Sequence, residues 1–348
     1  MSVQRFERAF AAYVGAEYCI ALCNGTATLH TALLALGVQS GDRVAVPPLT
    51  MSATTIAVLQ VGAVPVFCDV DPKTWLVVTG TKLPNVGAYV GVSLYGLHFP
   101  AMGPAWIDDA AQTLKPHGDN EALSGFTGTA FTSYSFQSSK ILSCGEGGAL
   151  CTNDPHLAKE AREISSLGYQ LAADQPRIDS SIVRNPTYQR HHRAVSYNYR
   201  LAPLLAEHLL SQDWDALKET RQRCAALYRQ AIKGCDWLTP QYVPEGWTSD
   251  YWTYAVRLGT DLRISHTPFE ARYSPTWEEL ASAIVKHGGE RPYAAWRLTY
   301  QEPAFAHLAS SCPIAESLQP RLMQFATNNL ASAMTNARAL SRAIENLS

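Results

Sequence analysis

Tyr18-Cys19-Ile20-Ala21-Leu22-Cys23-Asn24-Gly25-Thr26-Ala27-Thr28-Leu29-His30 is the stretch on which the fold turns. Tyr18–Leu22 is short, apolar and rich in strand formers, so it reads as a buried strand, and Ala27–Leu36 reads as the helix that follows. Asn24-Gly25-Thr26 between them is the tight turn joining the two. The same alternation continues outward. Arg43–Val46 predicts a strand, Ser52–Val61 a helix and Val64–Cys68 a strand. Tyr89–Leu94, Ala105–Ile107, Ala130–Phe136 and Ala149–Thr152 predict further buried strands, each bounded by Gly, Pro, Asp or Ser. Upstream, Phe6, Phe10 and Tyr13 recur at helical spacing. Strands that alternate with helices imply an α/β fold, a mostly parallel sheet flanked by helices on both faces. Ligands of such sheets gather at the carboxyl ends of the strands.

Past Gly168 the pattern loosens. Residues 170–195 contain Pro176, Pro186 and His191-His192 without periodicity, which predicts a long functional or interfacial loop. Residues 202–234 predict helix, with Leu204, Leu205, Leu209, Trp214, Leu217, Leu227 and Tyr228 as its apolar stripe. Pro240–Trp247 reads as a linker. A smaller α+β domain is expected beyond it, with strands near Trp252–Leu258 and Ala294–Thr299 and helices from Ala315 onward. The expected division is a large domain of 1–238 and a small C-terminal domain of 239–348.

Composition narrows the function class. The 348 residues carry a net charge of −2, with 47% hydrophobic and 17% charged residues, so the chain has no electrostatic footprint for nucleic acid and is too apolar for disorder. No apolar run reaches the ~20 residues that span a bilayer. The start of the chain lacks the layout of a secretory signal, so a cytoplasmic protein is expected. The 8 cysteines form no CxxC pair and no zinc spacing; they read as core residues, and no metal is expected.

Four motifs fall where the strands end. Asn24-Gly25-Thr26-Ala27 places a hydroxyl and free helix amides where an anion such as phosphate would sit, although Thr26 as a plain helix cap is the ordinary reading. Asp108-Asp109-Ala110-Ala111-Gln112 puts carboxylates at a strand end, where one could pair with a cationic ring nitrogen. Ser135-Phe136-Gln137-Ser138-Ser139-Lys140 sets a lysine in a Ser-, Gly- and aromatic-rich setting with no acid until Glu146, a context that favours a nucleophilic amine. Gly145-Glu146-Gly147-Gly148 marks backbone forced close to a neighbour or into positive φ. Together these suggest a pyridoxal phosphate site: a Schiff-base lysine, an acid for the ring nitrogen and a phosphate cradle.

With those residues in view, the chain resembles the DegT/StrS family of pyridoxal-phosphate-dependent sugar aminotransferases, of fold type I, over nearly its whole length. The matching stretches are Gly25–His30, Gly41-Asp42-Arg43-Val44, Val64–Asp71, Leu94-Tyr95-Gly96, Asp108–Gln112, Ser135–Gly148 and Tyr197-Asn198-Tyr199-Arg200. The resemblance implies that Lys140 holds the cofactor and moves the proton, that Asp109 faces the pyridine nitrogen, and that Gln112 lies on the O3′ side. It implies that Thr26, Ala27 and Ser135 hold the phosphate and that Asn198 reaches the phosphate of a neighbouring subunit in a homodimer with shared active sites. Met51 falls at the Pro-x-x-Thr corner, where the family usually has an aromatic residue stacked on the cofactor ring. Ser135-Phe136-Gln137 resembles the branch acting on ketocyclitols and antibiotic sugars.

The expected reaction is transfer of an amine, from L-glutamate, to a keto group of a nucleotide-linked keto sugar. A ketocyclitol or a simpler amine or aldehyde stands as the alternative. Related dehydratases carry His at the lysine position, so Lys140 speaks against dehydration. A non-catalytic regulatory role is disfavoured by intact Lys140, Asp109 and Thr26.

Overall fold

The computed structural model describes residues 2–78, 86–100, 103, 105–114, 129–171, 191–259 and 274–347. In helix α1 (Ser2–Val14), Val3, Phe6, Phe10 and Val14 recur every three or four residues and are all buried. The chain enters β1 (Tyr18–Leu22) and turns into α2 (Gly25–Ala35). Asn24 caps that helix, its Oδ1 accepting the Ala27 amide at 2.8 Å, so Thr26 is not the cap and lies one position inside the first turn. Next come β2 (Arg43–Val46), α3 (Ala53–Gln60), β3 (Val64–Phe67), β4 (Ala88–Val92), β5 (Trp106–Asp109), β6 (Phe131–Ser135) and β7 (Gly148–Thr152).

These strands make one sheet in the order β1-β7-β6-β5-β4-β2-β3. The neighbours β3, β2, β4, β5 and β6 run parallel, while β7 is antiparallel to both β6 and β1. The expected mostly parallel sheet is therefore present, with one reversed strand. Strand alternation sends side chains into two cores. Ile20, Leu22, Val44, Val46, Ile107 and Leu150 meet Leu29 and Leu33 of α2, Val58 of α3 and Ala158 of α4 (Pro155–Ser165). On the other face, Cys19, Ala21, Ala149 and Cys151 meet Phe6 and Phe10 of α1 and Leu209 of α5 (Pro203–Leu210). Burial on both faces explains why these strands read as continuous apolar runs. All the cysteines are free thiols, and all but Cys23 and Cys235 are buried.

A second sheet follows α6 (Trp214–Ala231). It consists of β8 (Leu238–Pro240), β9 (Thr253–Leu258), β10 (Tyr293–Ala294) and β11 (Leu322–Ala326), in the antiparallel order β10-β11-β9-β8. Val256, Met323 and Phe325 pack against Tyr228 of α6, Leu280 and Ile284 of α7 (Trp277–Lys286), and Leu340 of α9 (Leu330–Leu347). Between α7 and α9 lies the short helix α8 (Pro313–Leu318).

Four expectations are corrected here. The predicted helix over 202–234 breaks before Trp214, because the Asp213 side chain accepts the Ala216 amide and starts a new helix. The strand expected over Ala294–Thr299 amounts to Tyr293–Ala294 alone, since the Thr299 amide turns away to the Pro48 carbonyl. Strand β11 interrupts the helices expected after Ala315. Helix α7, absent from the expectation, opens with a reciprocal Thr276–Glu279 cap. Of the loop expected over 170–195, residues 172–190 lie outside the described part.

The two sheets are joined near the turn Leu94–Gly96, where Gly96 has φ +104° and accepts the Asp250 amide at 2.8 Å. A Cβ on Gly96 would lie 2.5 Å from the Tyr251 nitrogen, which is backbone and has no rotamer by which to move aside. Gly96→Ala is therefore expected to cost roughly 2–4 kcal/mol from left-handed strain plus overlap. A lowered urea midpoint with an unchanged slope checks this; an unchanged midpoint refutes it.

Candidate active site

A cavity of about 520 Å³ opens at the carboxyl ends of the first sheet's strands. After β1 it is lined by Asn24, Gly25 and Thr26; after β2 by Thr50 and Met51; at the end of β5 by Asp109; and at the end of β6 by Ser135. Lys140 and Gln112 complete one side, and Trp252 and Trp296 close it from the second sheet. A somewhat larger void, about 570 Å³, lies beside β8 and β9. Lys73, Arg229, Arg257 and tyrosines line it with no carboxylate among the described residues, whereas the former cavity joins Lys140 to Asp109.

Helix α2 meets the sheet closely. A Cβ on Gly25 would sit 2.9 Å from the Ser135 Cβ, so glycine is what lets the helix start approach β6. The same economy explains the glycine run after Lys140, where a Cβ on Gly148 would meet the Asn24 carbonyl carbon at 2.8 Å. Amides at a helix start, with the hydroxyls of Thr26 and Ser135 in the same wall, form a neutral cradle suited to an anion. Ala27, expected in that cradle, does not line the cavity: it is buried, and its amide is taken by Asn24.

Of the two adjacent acids, strand alternation selects one. Asp109 points into the cavity, where Oδ2 accepts the Thr54 hydroxyl at 2.7 Å and Oδ1 accepts the Ala111 amide at 3.3 Å. Asp108 points away and accepts the Ser93 hydroxyl at 2.9 Å. Burial pushes the Asp109 carboxyl up, against the Thr54 and Ala111 hydrogen bonds and the charge of Lys140. Burial lifts Asp108 to about 8; the Ser93 bond opposes this and the neighbouring Asp109 adds to it.

Lys140 follows Ser139 out of β6. Burial lowers its ammonium below the usual lysine range, with Asp109 as the opposing influence, so the neutral, nucleophilic amine is favoured over what a surface lysine would show. Its Nζ lies 4.5 Å from the centre of the Trp252 ring. Trp252 is fixed in turn: Nε1 donates to the Ser139 carbonyl at 2.7 Å, and its ring stacks on Trp296 at 5.7 Å and 10°. Gln112 is buried and oriented by the Tyr95 amide, which donates to Oε1 at 2.7 Å.

Met51 lines the cavity while 47% exposed, its Sδ accepting the Ala53 amide. Asn198 does not line the cavity of its own chain; it is exposed on the segment that bridges to Ser166. Thr26, Met51, Asp109, Gln112, Ser135 and Lys140 are thus brought together, while Ala27 and Asn198 are not. Trp252, Trp296, Thr54 and Glu146 were missed as site residues. For the tryptophans no local spacing carries the signal, since residues 252 and 296 reach Lys140 only through the second sheet.

Among the described residues, no group of three or more His, Cys, Asp or Glu is placed to hold a metal, and no helix is long and apolar enough to cross a membrane. The residues present do fit pyridoxal phosphate. The cradle at α2 suits its phosphate, a buried carboxylate faces where a ring nitrogen would be protonated, and a desolvated lysine stands ready for its aldehyde.

Residues 1–85 and 101–332 match the DegT/DnrJ/EryC1/StrS aminotransferase family. The chain belongs to that family, whose members are pyridoxal-phosphate-dependent enzymes of fold type I. It is 36% identical over 280 residues to the L-glutamine:2-deoxy-scyllo-inosose aminotransferase of Streptomyces lividus, covering 76% of this chain and 64% of that protein. It is 32% identical over 278 residues to GDP-perosamine synthase of Caulobacter vibrioides, covering 75% and 70%. The chain thus spans less than two thirds of the length of the first of these relatives. The solved DegT DnrJ EryC1 StrS aminotransferase from Brucella abortus superposes with a TM-score of 0.75 at 25% identity, over 97% of this chain and 89% of that one.

Proposed function

We propose that this protein is a pyridoxal-phosphate-dependent aminotransferase that moves an amine from an amino-acid donor to a keto group on a polyhydroxylated ring. The observation that carries the reading is the desolvated Lys140 amine sharing one cavity with the buried Asp109 carboxylate and the helix-start cradle. When bound, pyridoxal phosphate supplies an aldehyde that takes up the amine and a ring that withdraws electrons from the neighbouring carbon.

The chain's own residues do the rest. The α2 amides, Thr26 and Ser135 bind the phosphate and fix the cofactor's position. Asp109 stands beside the ring nitrogen, where the Thr54 and Ala111 hydrogen bonds support its charged form against the upward push of burial, and a carboxylate there favours the protonated ring nitrogen. Lys140 has an amine whose proton affinity is lowered by burial, which suits a group that both accepts and returns a proton at Nζ. Trp252 and Trp296 exclude water from that side. Gln112, oriented by Tyr95, presents its amide to the O3′ side. Met51 offers sulfur and methylene contact in place of an aromatic stack.

For the acceptor, a ketocyclitol is the first reading, supported by a 2-deoxy-scyllo-inosose aminotransferase at 36% identity against 32% and 34% for two nucleotide-sugar relatives. A nucleotide-linked keto sugar is the second reading, supported by those two relatives. The donor is L-glutamine or L-glutamate. In the same reading, residues 1–238 form the cofactor-binding domain and 239–348 the smaller one. The protein is a cytoplasmic homodimer, and Asn198, on its exposed segment, serves the neighbouring subunit's site.

The test is a half-reaction panel. Pyridoxal phosphate is expected to give the enzyme a visible absorbance that L-glutamine or L-glutamate bleaches. Its return on adding 2-deoxy-scyllo-inosose or a nucleotide-linked 3-keto sugar then identifies the acceptor. An enzyme whose spectrum no amino acid alters refutes the assignment.

A further inference from the structure

Lys218 and Arg221 lie one turn apart on the buried side of α6. They are treated differently. Lys218 has the Asp250 carboxylate at 2.8 Å. Arg221, 7% exposed, has no ion pair among the described residues: its Nη1 donates to the Trp252 carbonyl at 2.8 Å and to the Thr327 hydroxyl at 3.2 Å. Burial pushes its guanidinium down to about 10. A cation taken out of water and offered only neutral oxygens is poorly compensated, and a matching anion would relieve it.

An anion has room to approach. Arg221 lines a cavity of about 320 Å³ with Ser139, Trp252, Trp296, Gln324 and Asn328, and no acid among the described residues lines it. Ser139, Trp252 and Trp296 also line the Lys140 cavity, so the two spaces share a wall. One residue connects the two nitrogens: the Trp252 carbonyl accepts from Arg221, and the Trp252 ring lies under the Lys140 Nζ. With Nη1 engaged, the guanidinium still has its Nε and Nη2 donors, the pair that matches the two oxygens of a carboxylate.

We propose that this second cavity is an anion subsite in which Arg221 binds a carboxylate of the amino donor. The assignment to the donor rests on the aminotransferase reading with a ketocyclitol acceptor: the cofactor phosphate has its own cradle at α2, and a ketocyclitol brings no anionic group. The glutamine or glutamate carboxylate supplies the missing counter-charge and holds the donor beside Lys140.

The probe is glutarate, which has the carboxylates of glutamate and no amine to react. Titration calorimetry on the pyridoxal-phosphate-loaded protein is expected to show binding that weakens at least about tenfold in Arg221→Met, with Arg221→Lys intermediate. Asn328→Asp provides a variant that leaves the buried arginine untouched, because Asn328 is exposed on the cavity rim. Its added carboxylate is expected to weaken glutarate by a similar factor. In the donor half-reaction, the concentration giving half the maximal rate rises by the same factor, while cofactor absorbance is unchanged. Equal glutarate binding by wild type, Arg221→Met and Asn328→Asp overturns the subsite, and if Arg221→Met fails to fold, Asn328→Asp decides alone. A wild type that takes up no pyridoxal phosphate yet loses glutarate on these substitutions would sink the aminotransferase reading and leave the anion subsite standing.

Discussion

Lys140→Ala is expected to retain the fold and take up pyridoxal phosphate, yet to lose at least about a thousandfold in amine transfer. The residue sits at the mouth of β6 rather than in either core, so its removal opens no apolar void. The phosphate cradle at Gly25, Thr26 and Ser135 is formed without it. What goes is the amine placed both to join the aldehyde and to carry a proton, and no other lysine among the described residues lines the cavity. Lys140→Arg separates this from a simple loss of positive charge. A guanidinium keeps the charge over Trp252 but gives up no proton near neutral pH, so the arginine variant is expected to be as inactive as the alanine one. Borohydride treatment of the loaded wild type followed by peptide mapping should mark Lys140, and neither variant should be marked there. Wild-type turnover by either substitution, or a label on another lysine, would remove the basis of the proposed function.

How this site was readable from sequence differs residue by residue. Lys140, Asp109 and Thr26 stand where strands end, and strand ends are visible locally because an apolar run stops at Gly, Asp or Ser. The choice between Asp108 and Asp109 came from resemblance; the register supplies its physical reason, since adjacent strand residues face opposite ways. The helix cap was misassigned because Asn24 and Thr26 are both good caps and only backbone geometry separates them. Helix α7 carried a readable sign, Thr276 followed three residues later by Glu279, that went unused.

Other features had no local sign at all. Trp252 meets Lys140 by long-range packing, Trp296 stacks on Trp252, Arg221 bonds the Trp252 carbonyl, and a missing counter-charge at Arg221 is a property of the folded neighbourhood, not of a motif. Strand β11 is apolar like the helices on either side, and at five residues its period is ambiguous.

Asp250→Asn is expected to carry the largest stability effect. The Asp250 carboxylate is fully buried and accepts from His98 Nε2 at 3.1 Å, Lys218 Nζ at 2.8 Å and the Leu114 amide at 2.8 Å. It joins three segments: the turn after β4, the chain beyond Gln112, and helix α6. Burial by itself would raise this carboxyl. The charge and hydrogen bond of His98, the charge of Lys218 and the Leu114 amide outweigh burial and hold it well below the usual carboxylate range. A neutral amide takes away the full charge that Lys218 is paired with, which costs about 3–5 kcal/mol when one partner of a buried pair is removed.

The sign with pH follows from the direction of the shift. A carboxyl held low in the folded state contributes its stability in full above the unfolded value of about 3.9 and loses it as the pH falls further. Wild type should therefore exceed Asp250→Asn by the full amount at pH 7, and the gap should narrow below about pH 4. Urea midpoints across that range measure it, and equal midpoints at pH 7 would show that the cluster adds nothing. Because Asp250 also stands two residues before Trp252 and holds the amide beyond Gln112, the variant should loosen the Lys140 cavity as well as the joint between the sheets. A buried ion cluster is rarely the most stabilising way to fill that space. Its value at this joint is that it admits one arrangement of three chain segments, and with it one placement of the tryptophan against the lysine.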